Sequence, residues 1–432
     1  MTNENYPKFK TLQINSRNLI EFGMILSLII VNLLSTELLS NIFILIMGII
    51  FLIMLIAVIL KGRFPSLSKT TVYFFVLVAM FVLSTLVSMD RSASLQYSAY
   101  FIIFLFIAYV STLTNSWMDN FIKYSFLFSL VHMTITLLSA IFPNLYISII
   151  LPLYSTSQQN NILYWMNNNT YPGIAGQIGT NAFLISIGIA IVYVKFLSKK
   201  SVKNTFILVL FMIALFLTGK RGLLLGNVIA FIVIYYFGPL KSNIRKIYKL
   251  IGFTIVTIMV IYISSLFIPS LATSLSRFTT NIGGEDFSSG RLDLYKEAFI
   301  VFKQYYLTGT GINSYVTLNF GSIDTSLGVH NDYIQILVEL GIFGFLIYFL
   351  PIISVFMYTV KKIKSMHKNK EYTKYYNYLM FSFYFQTIFL VYAITGNPFH
   401  YINSLLYYFL VISIPLYFEG GNRFESRNIN IS

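Results

Sequence analysis

A His-Asn-Asp triplet stands at the start of a long apolar run in the segment DTSLGVHNDYIQILVELGIFGF, residues 324–345. His330, Asn331 and Asp332 are followed by Glu339, which lies about two turns further along if the run is helical. A carboxylate in hydrocarbon costs roughly 2.5–3.5 kcal/mol on insertion scales. These side chains therefore indicate a function or a specific pairing, and acid–base chemistry is what histidine and glutamate support best.

Two further motifs carry cations where an anion could bind. LTGKRGLLLG places Lys220 and Arg221 in a tight turn with a glycine on each side, and Arg221 begins the next predicted helix. Arg291 begins an amphipathic segment in SSGRLDLYKEAFIVFKQYYLTGTG. A cation at a helix N-terminus is unfavourable unless an anion joins it, and the free N–H groups there suit a phosphate. The alternative is that these side chains extend to lipid headgroups, and the residues alone leave both readings open.

Of three other polar side chains near apolar runs, His330 and Glu339 have two readings each and His132 has one. A helix N-terminus disfavours imidazolium, so His330 is predicted to be neutral, the form that a general base requires; a structural histidine is the alternative. Glu339 is predicted to face the interior and to pair with a cation or a polar neighbour, with its role left open. His132, in the middle of an apolar run, is predicted to be a buried and hydrogen-bonded histidine.

The composition is that of an all-α polytopic membrane protein. Of the 432 residues, 56% are hydrophobic and 10% are charged, whereas a soluble domain has about a quarter of its residues charged. The absence of cysteine excludes disulfides, thiolate metal sites and a cysteine nucleophile. The polar first 18 residues are followed by an apolar run without a small-residue cleavage site, which predicts an uncleaved first helix. We predict a single membrane domain over residues 1–432.

Twelve apolar runs of about 20 residues are long enough to cross a bilayer. They lie near 19–37, 40–60, 70–89, 97–113, 120–142, 174–196, 204–219, 222–238, 249–268, 333–357, 376–395 and 401–418. An even number places both termini on one side, and the positive-inside rule makes that side cytoplasmic. The cytoplasmic segments then include a basic loop at 358–374, and the +15 net charge reflects topology rather than nucleic-acid binding. The basic residues left outside are Arg91, Lys220, Arg221, Arg277, Arg291, Lys296 and Lys303.

Two predicted outer segments are long. Residues 143–172 are uncharged, and their ILYWMNNN stretch is typical of chain lying at a membrane interface. Residues 269–332 form a larger loop, and loops of that size usually have a function. Within it we predict an amphipathic helix that Ser288 or Ser289 caps and that Gly309 or Gly311 ends. Its apolar face is predicted to carry Leu292, Tyr295, Phe299 and Phe302, and its solvated face Lys296 and Lys303.

Motifs for nucleotide and metal chemistry do not occur. The chain has no GxxxxGK[ST], no HExxH and no acidic D-x-D pair, and the GTG at 309–311 is too short for a nucleotide loop. A nucleotide-sugar enzyme or an ATP-driven pump normally carries one of these motifs. We therefore expect no metal and no cofactor.

Taken in order, TGKRG, SGR, TGTGINSY and HNDYIQILVELGIFGF resemble the O-antigen ligase and polymerase superfamily, over about residues 173–360. GIAGQIGTNAFLIS is similar to the polar helix entrance of that family. The resemblance implies a GT-C-like fold with a cavity on the outer face, two essential arginines at Arg221 and Arg291, and an essential histidine at His330. Lys220 stands where the family more often has serine or threonine. Glu339 would orient the histidine or replace it as the base, and Lys220, Gly222, Asn331 and Gly311 would contact substrate.

The implied activity is glycosyl transfer from a lipid diphosphate. We expect a polysaccharide polymerase that moves a glycan from undecaprenyl diphosphate onto a lipid-linked repeat unit, with inversion and without a metal. The alternative is a ligase with another acceptor, and a flippase of the same lipid-linked unit is less favoured because no internal repeat is visible. The expected location is the bacterial cytoplasmic membrane, with the site facing outward and with a flippase and a chain-length regulator as partners.

Overall fold

The computed structural model describes residues 15–33, 40–237, 291–317, 328–369 and 373–425, and isolated helical positions between 248 and 272. Within these residues the secondary structure is helical and no strand occurs. The α-helices are α1 Ser16–Leu33, α2 Ser40–Lys61, α3 Lys69–Val87, α4 Arg91–Ser111, α5 Trp117–Ile141, α6 Pro143–Ile149, α7 Thr156–Asn167, α8 Ile178–Ser198, α9 Val202–Leu217, α10 Arg221–Phe237, α11 Arg291–Gln304, α12 Asp332–Lys368, α13 Lys374–Tyr392 and α14 Ile402–Glu425. Short 3-10 helices lie at Leu151–Leu153, Gly173–Ala175 and Tyr315–Thr317.

Six helices in the described residues are long and apolar enough to cross a membrane: α3, α4, α5, α8, α12 and α14. The all-α membrane class is therefore confirmed. Shorter apolar helices include α9, most of α10 and the Leu45–Lys61 part of α2. These lengths do not establish twelve spans, and the span predicted near 249–268 lies mostly outside the described residues.

The helices differ in how much of their surface other helices cover. In α8, 83% of the apolar window is buried, because α5, α9, α10 and α13 all pack against it. In α3 the share is 33%. A helix that is apolar all round belongs either inside a protein or in lipid. Thus α8 forms the centre of the bundle, and the open faces of α3 are available to lipid.

The two ends of the bundle differ in chemistry. At one end, which we call the basic end, Lys374 pairs with Asp119 at 2.7 Å and Ser68 donates to Glu419 at 3.0 Å. These residues belong to the segments 61–69, 112–120, 195–201, 361–378 and 417–420, which the sequence predicts to be cytoplasmic or next to it. The opposite end, the site end, contains segments 88–94, 142–177, 217–222, 291–317, 328–331 and 393–401. There the Met89 N–H donates to the Thr310 carbonyl at 3.0 Å. The predicted inner and outer segments thus lie at opposite ends.

α12 is broken at Gly341, where the backbone adopts φ 64° and ψ −176°. The turns before Gly341 form a short helix, which leaves carbonyl groups without partners in the helix. The N–H groups of Thr310 and Gly311 donate to the carbonyls of Val338 and Glu339 at 3.2 and 2.9 Å, and Ile342 N–H donates to Tyr306 at 2.9 Å. A Cβ on Gly309 would overlap the Glu339 carbonyl group, so the contact requires glycine. The TGTG segment therefore supplies the N–H donors for the carbonyls that the break in α12 leaves without helical partners.

Two predicted boundaries change in the structure. The predicted span 333–357 continues as helix to Lys368, so most of the predicted loop at 358–374 is helical. The predicted amphipathic helix is confirmed as α11, but it ends at Gln304, before Gly309. Ser288 and Ser289 lie outside the described residues.

The apolar face of α11 is rotated from the prediction. Ala298 and Val301 are its buried residues, whereas Leu292 and Phe299 are 59% and 43% exposed. Tyr295 and Phe302, both predicted on the apolar face, are packed beside Ala298 and Val301. Ala298 and Val301 share one hydrophobic cluster with Val329 and with Val338 of α12. Lys296 and Lys303 are exposed, as predicted.

Single cysteines test the topology in this cysteine-free chain. Lys303→Cys, on the exposed side of α11, is expected to react with a membrane-impermeant maleimide in intact cells. Ser365→Cys, at the basic end of α12, is expected to react only after the membrane is permeabilised. The opposite labelling pattern would overturn the predicted orientation.

Candidate active site

The α9–α10 turn places two cations at the site end. α9 ends at Leu217, and Gly219 takes φ 71°, which turns the chain so that Arg221 begins α10. A Cβ on Gly219 would lie 2.5 Å from the Thr170 side chain. Lys220 precedes the first turn of α10 and Arg221 is exposed. The glycine is needed for both the left-handed backbone and the close approach, so the turn presents its cations in one orientation.

Lys220 reaches across the entrance of α8. A Cβ added to Gly179 would lie 3.8 Å from the Lys220 Nζ and 3.7 Å from the Tyr392 hydroxyl. Gly179 belongs to GIAGQIGTNAFLIS, so the Lys220 side chain lies over the entrance of α8 that this stretch forms. Burial and the charge of Arg291 lower the pKa of Lys220. The start of α11 is therefore near the α9–α10 turn.

His330 is within electrostatic range of both cations. Burial, Lys220 and Arg291 together lower the pKa of His330 below its ordinary value of 6.5. This direction agrees with the predicted neutral imidazole, and its causes are burial first and then the two cations. His330 is half-buried, two residues before α12. Lys220, Arg291 and His330, which lie far apart in sequence, form one cationic cluster with a neutral imidazole.

The backbone of His330 is strained. Its φ is 53°, in the left-handed region, and Asn313 and Asn169 are the two other non-glycine residues with positive φ in the described part of the chain. Histidine tolerates this region better than most residues, but still at a cost of the order of 1 kcal/mol or more. A position that required only a turn would suit glycine or asparagine better. The strained histidine therefore favours a function for the imidazole.

Glu339 faces the interior, as predicted, and its carboxylate is fully buried. Its oxygens accept hydrogen bonds from Asn313 N–H at 2.8 Å, Gln335 Nε2 at 3.0 Å and Tyr315 N–H at 3.4 Å. The fourth partner is His400 Nε2, at 2.9 Å. Among the described contacts, Glu339 thus holds His400 and not His330, which differs from the prediction. Four partners and full burial also leave it poorly placed to accept a proton from a substrate.

His400 is the residue of this region that the sequence did not reveal. It lies in TGNPFHY, between α13 and α14, and its Nδ1 lies 2.5 Å from Asp332 Oδ1. Burial disfavours its charge, but the Glu339 and Asp332 carboxylates outweigh that effect and raise the pKa of His400 to about 10. The sequence feature that could have identified it is its position between the last two predicted spans, on the predicted outer side, in a chain with only four histidines.

Three predicted substrate-binding residues have packing roles in the structure. The Asn331 side chain accepts from Ile334 N–H at 3.2 Å and caps α12. Gly222 lets α10 approach the end of α13, because a Cβ there would overlap the Thr395 side chain. Gly311, at φ 105°, lies against Ser88. Contact of these residues with substrate stays a prediction.

His132 has the structural role predicted for it. It is buried in α5, and its Nδ1 lies 3.2 Å from Asn181 Oδ1 in α8. The Asn181 amide in turn donates to Thr136 at 2.7 Å. This polar group joins α5 to α8 in the interior of the bundle.

Residues 206–349 match the family model described as Wzy_C: O-Antigen ligase. Over these residues the chain is similar to the O-antigen ligase family. The matched segment runs from α9 into α12 and contains the α9–α10 turn, Arg291, His330 and Glu339, whereas His400 lies beyond it. The resemblance read from the motifs is thus confirmed, and it supports ligase- or polymerase-type glycosyl transfer in a membrane with lipid-linked substrates. No curated protein matches the sequence.

Burial and then the charges of Lys220 and Arg291 lower the pKa of His330, so removing the Lys220 charge tests one of these contributions. Lys220 and Arg291 are the charged groups that lower its pKa, so Lys220→Met is expected to raise that pKa and to move the acidic limb of activity to higher pH. Lys220→Arg, which keeps the charge, should move the limb less. The measurement is glycan transfer in vitro between about pH 5 and 8. Lys303→Met, at the far end of α11, is the control; an identical shift in that variant would contradict the assignment.

Proposed function

We propose that the protein is a polysaccharide polymerase that transfers a glycan from undecaprenyl diphosphate onto a lipid-linked repeat unit. The observation that carries the proposal is the cluster of Lys220, Arg291 and His330 at the site end, beside Arg221. Two cations bind an anionic leaving group, and a neutral imidazole beside them accepts a proton. These are the two functions that a glycosyl transfer from a lipid diphosphate requires.

The cations form the donor half of the site. When the bond between the anomeric carbon and the diphosphate oxygen breaks, the electron pair stays on that oxygen and the diphosphate gains negative charge. Arg291 and Arg221 stand at the N-termini of α11 and α10, where N–H groups and the helix dipole add partial positive charge. Arginine binds phosphate oxygens through two parallel hydrogen bonds and remains charged at any physiological pH. Lys220 adds a further cation from the same turn.

His330 forms the acceptor half. The acceptor hydroxyl oxygen attacks the anomeric carbon from the side opposite the diphosphate, and His330 accepts the hydroxyl proton. The new glycosidic bond then has the inverted configuration, and undecaprenyl diphosphate is the second product. The lowered pKa keeps His330 neutral near pH 7, so it is available as a base at physiological pH.

A ligase is the second candidate, because the matching family model is described as O-antigen ligase. A ligase uses the same donor half and the same base and differs only in the acceptor, such as a lipid A core. The site residues are common to both reactions. The two activities therefore differ in their products and not in the chemistry of this cluster.

The experiment is reconstitution of the purified protein with a defined undecaprenyl-diphosphate repeat unit. A polymerase yields a ladder of glycans on undecaprenyl diphosphate from that unit alone. A ligase yields no ladder until a different acceptor is added, and it then yields one glycan per acceptor. Movement of the unit across the bilayer without any new glycosidic bond would indicate a flippase and would refute both transferase readings.

The cellular setting follows from this function. We place the protein in the bacterial cytoplasmic membrane with the site end outward and both termini in the cytoplasm. The basic end then faces the cytoplasm, as the positive-inside rule requires. A flippase that supplies the lipid-linked unit and a chain-length regulator are the partners that such a reaction needs.

A further inference from the structure

The buried cluster of Asp332, His400 and Glu339 has no part in the proposed transfer reaction. Both carboxylates are fully buried, and the His400 side chain is 8% exposed. Asp332 lies 2.5 Å from Nδ1 and Glu339 lies 2.9 Å from Nε2, so the two carboxylates bind opposite sides of one ring. Metal ligands would converge on a common point, and these do not. The arrangement is that of a protonated imidazole bridging two anions.

The bridge joins three separate segments of the site end. Asp332 accepts from Phe399 N–H at 2.7 Å, and its own N–H donates to the Ala393 carbonyl at 2.9 Å. These contacts bind the start of α12 to the α13–α14 connection. Glu339 binds the N–H groups of Asn313 and Tyr315, in the segment that follows α11. The bridge therefore holds together the chain next to His330, the chain after Arg291 and the connection that contains Thr395.

The same connection also contacts the α9–α10 turn. Thr395 lies against Gly222, and Tyr392 lies near Lys220 across Gly179. The bridge thus contacts the start of α12, the segment after α11 and the α13–α14 connection, and residues near that connection, Thr395 and Tyr392, approach the α9–α10 turn that carries Lys220. A second hydrogen bond, from Asn397 to Gln335 at 2.5 Å, runs beside the bridge.

We propose that His400 is a positioning residue, whose bridge between Asp332 and Glu339 holds His330 against Lys220 and Arg291. This inference rests on the proposed function for its catalytic consequence, but the positioning itself does not. Removing the ring leaves two buried carboxylates that repel each other and separates the segments that they hold. His330 then loses burial and the proximity of the two cations that face it, Lys220 from the α9–α10 turn and Arg291 from α11. Its pKa rises toward the ordinary value.

Two double variants separate the bridge from its charge. In both His400→Gln/Asp332→Asn and His400→Ala/Asp332→Asn, the cluster keeps one negative charge, as in the wild type with a protonated His400. Glutamine can accept from the amide introduced at position 332 and donate to Glu339, which restores a bridge, whereas alanine cannot. The readouts are the pKa of His330, followed by NMR of protein labelled at histidine, and the rate and acidic limb of glycan transfer. His330→Gln assigns the signal among the four histidines.

The glutamine variant is expected to keep the wild-type pKa of His330 and most of the transfer rate. The alanine variant should titrate at higher pH and transfer glycan about 10²-fold more slowly, since a small misplacement of a base has effects of that size. His132→Gln, which alters a buried histidine between α5 and α8, controls for general destabilisation and should not change the pKa of His330. Equal pKa values and rates in the glutamine and alanine variants would overturn the proposal. Wild-type protein that titrates as expected but transfers no glycan would refute the proposed function alone.

Discussion

Arg291→Lys is expected to slow glycan transfer by about 10²-fold or more, the usual cost of one lost contact to a developing anion. Lysine keeps the charge but loses the planar pair of N–H groups that holds two phosphate oxygens. Arg291 is the first residue of α11, half-buried, and its charge reaches both Lys220 and His330. A diphosphate bound there meets several donors at once, so a point charge is not an adequate replacement. The measurement is the initial rate with a lipid-linked donor at equal amounts of folded protein.

Arg221→Lys is the companion variant, and Lys303→Ala is the control. Arg221 begins α10 as Arg291 begins α11, so a loss of similar size is expected. Lys303 lies exposed in the last turn of α11, beyond the cluster, and its removal should leave transfer near the wild-type rate. Near-normal glycan from both Arg→Lys variants would reduce the two arginines to side chains that interact with lipid headgroups.

His330→Asn is expected to lose about 10²- to 10⁴-fold in transfer rate while the donor still binds, because general acid–base catalysis has that range. Asparagine tolerates the left-handed backbone that His330 adopts at φ 53°, so this variant removes the imidazole with little added strain. His330→Ala would combine the two effects. His330→Gln keeps a longer amide and tests whether a hydrogen bond alone is sufficient. Donor binding and single-turnover transfer, measured separately, assign the loss to chemistry.

A structural histidine predicts a different result for the same variants. The asparagine or glutamine variant would then make long glycans near the wild-type rate, and His330 would not be the base. Glu339 would be a weak replacement, because its oxygens already accept from three protein groups besides His400 and are fully buried. The proton would then have to be accepted by a basic group of the substrate itself.

The sequence by itself determined the class of the protein and pointed to the cations and the histidine of the candidate site. Apolar runs of this length identify membrane helices because a helix pairs all of its backbone N–H and C=O groups within one segment, as hydrocarbon requires. TGKRG and SGR could be recognised because a cation at a helix N-terminus is locally unfavourable and so indicates an anion. HND at the start of the tenth apolar run predicted a neutral histidine, and burial and the two cations lower the pKa of His330 in that direction. Each of these inferences needs only neighbouring residues.

The tertiary structure decided which of these residues meet and what holds them in place. Glu339 and His400 are 61 residues apart, and no local pattern pairs a glutamate in one helix with a histidine between two others. The break at Gly341 could not be seen in the sequence, because the apolar run continues through it. The N–H groups that satisfy the carbonyls before the break come from Thr310 and Gly311, in a distant segment. Packing against other segments, which the sequence does not show, likewise selected Ala298 and Val301 as the buried residues of α11. Local sequence determines helices and charges, whereas partners across the bundle are selected by packing, in which a buried charge must find its counterpart wherever the fold brings one.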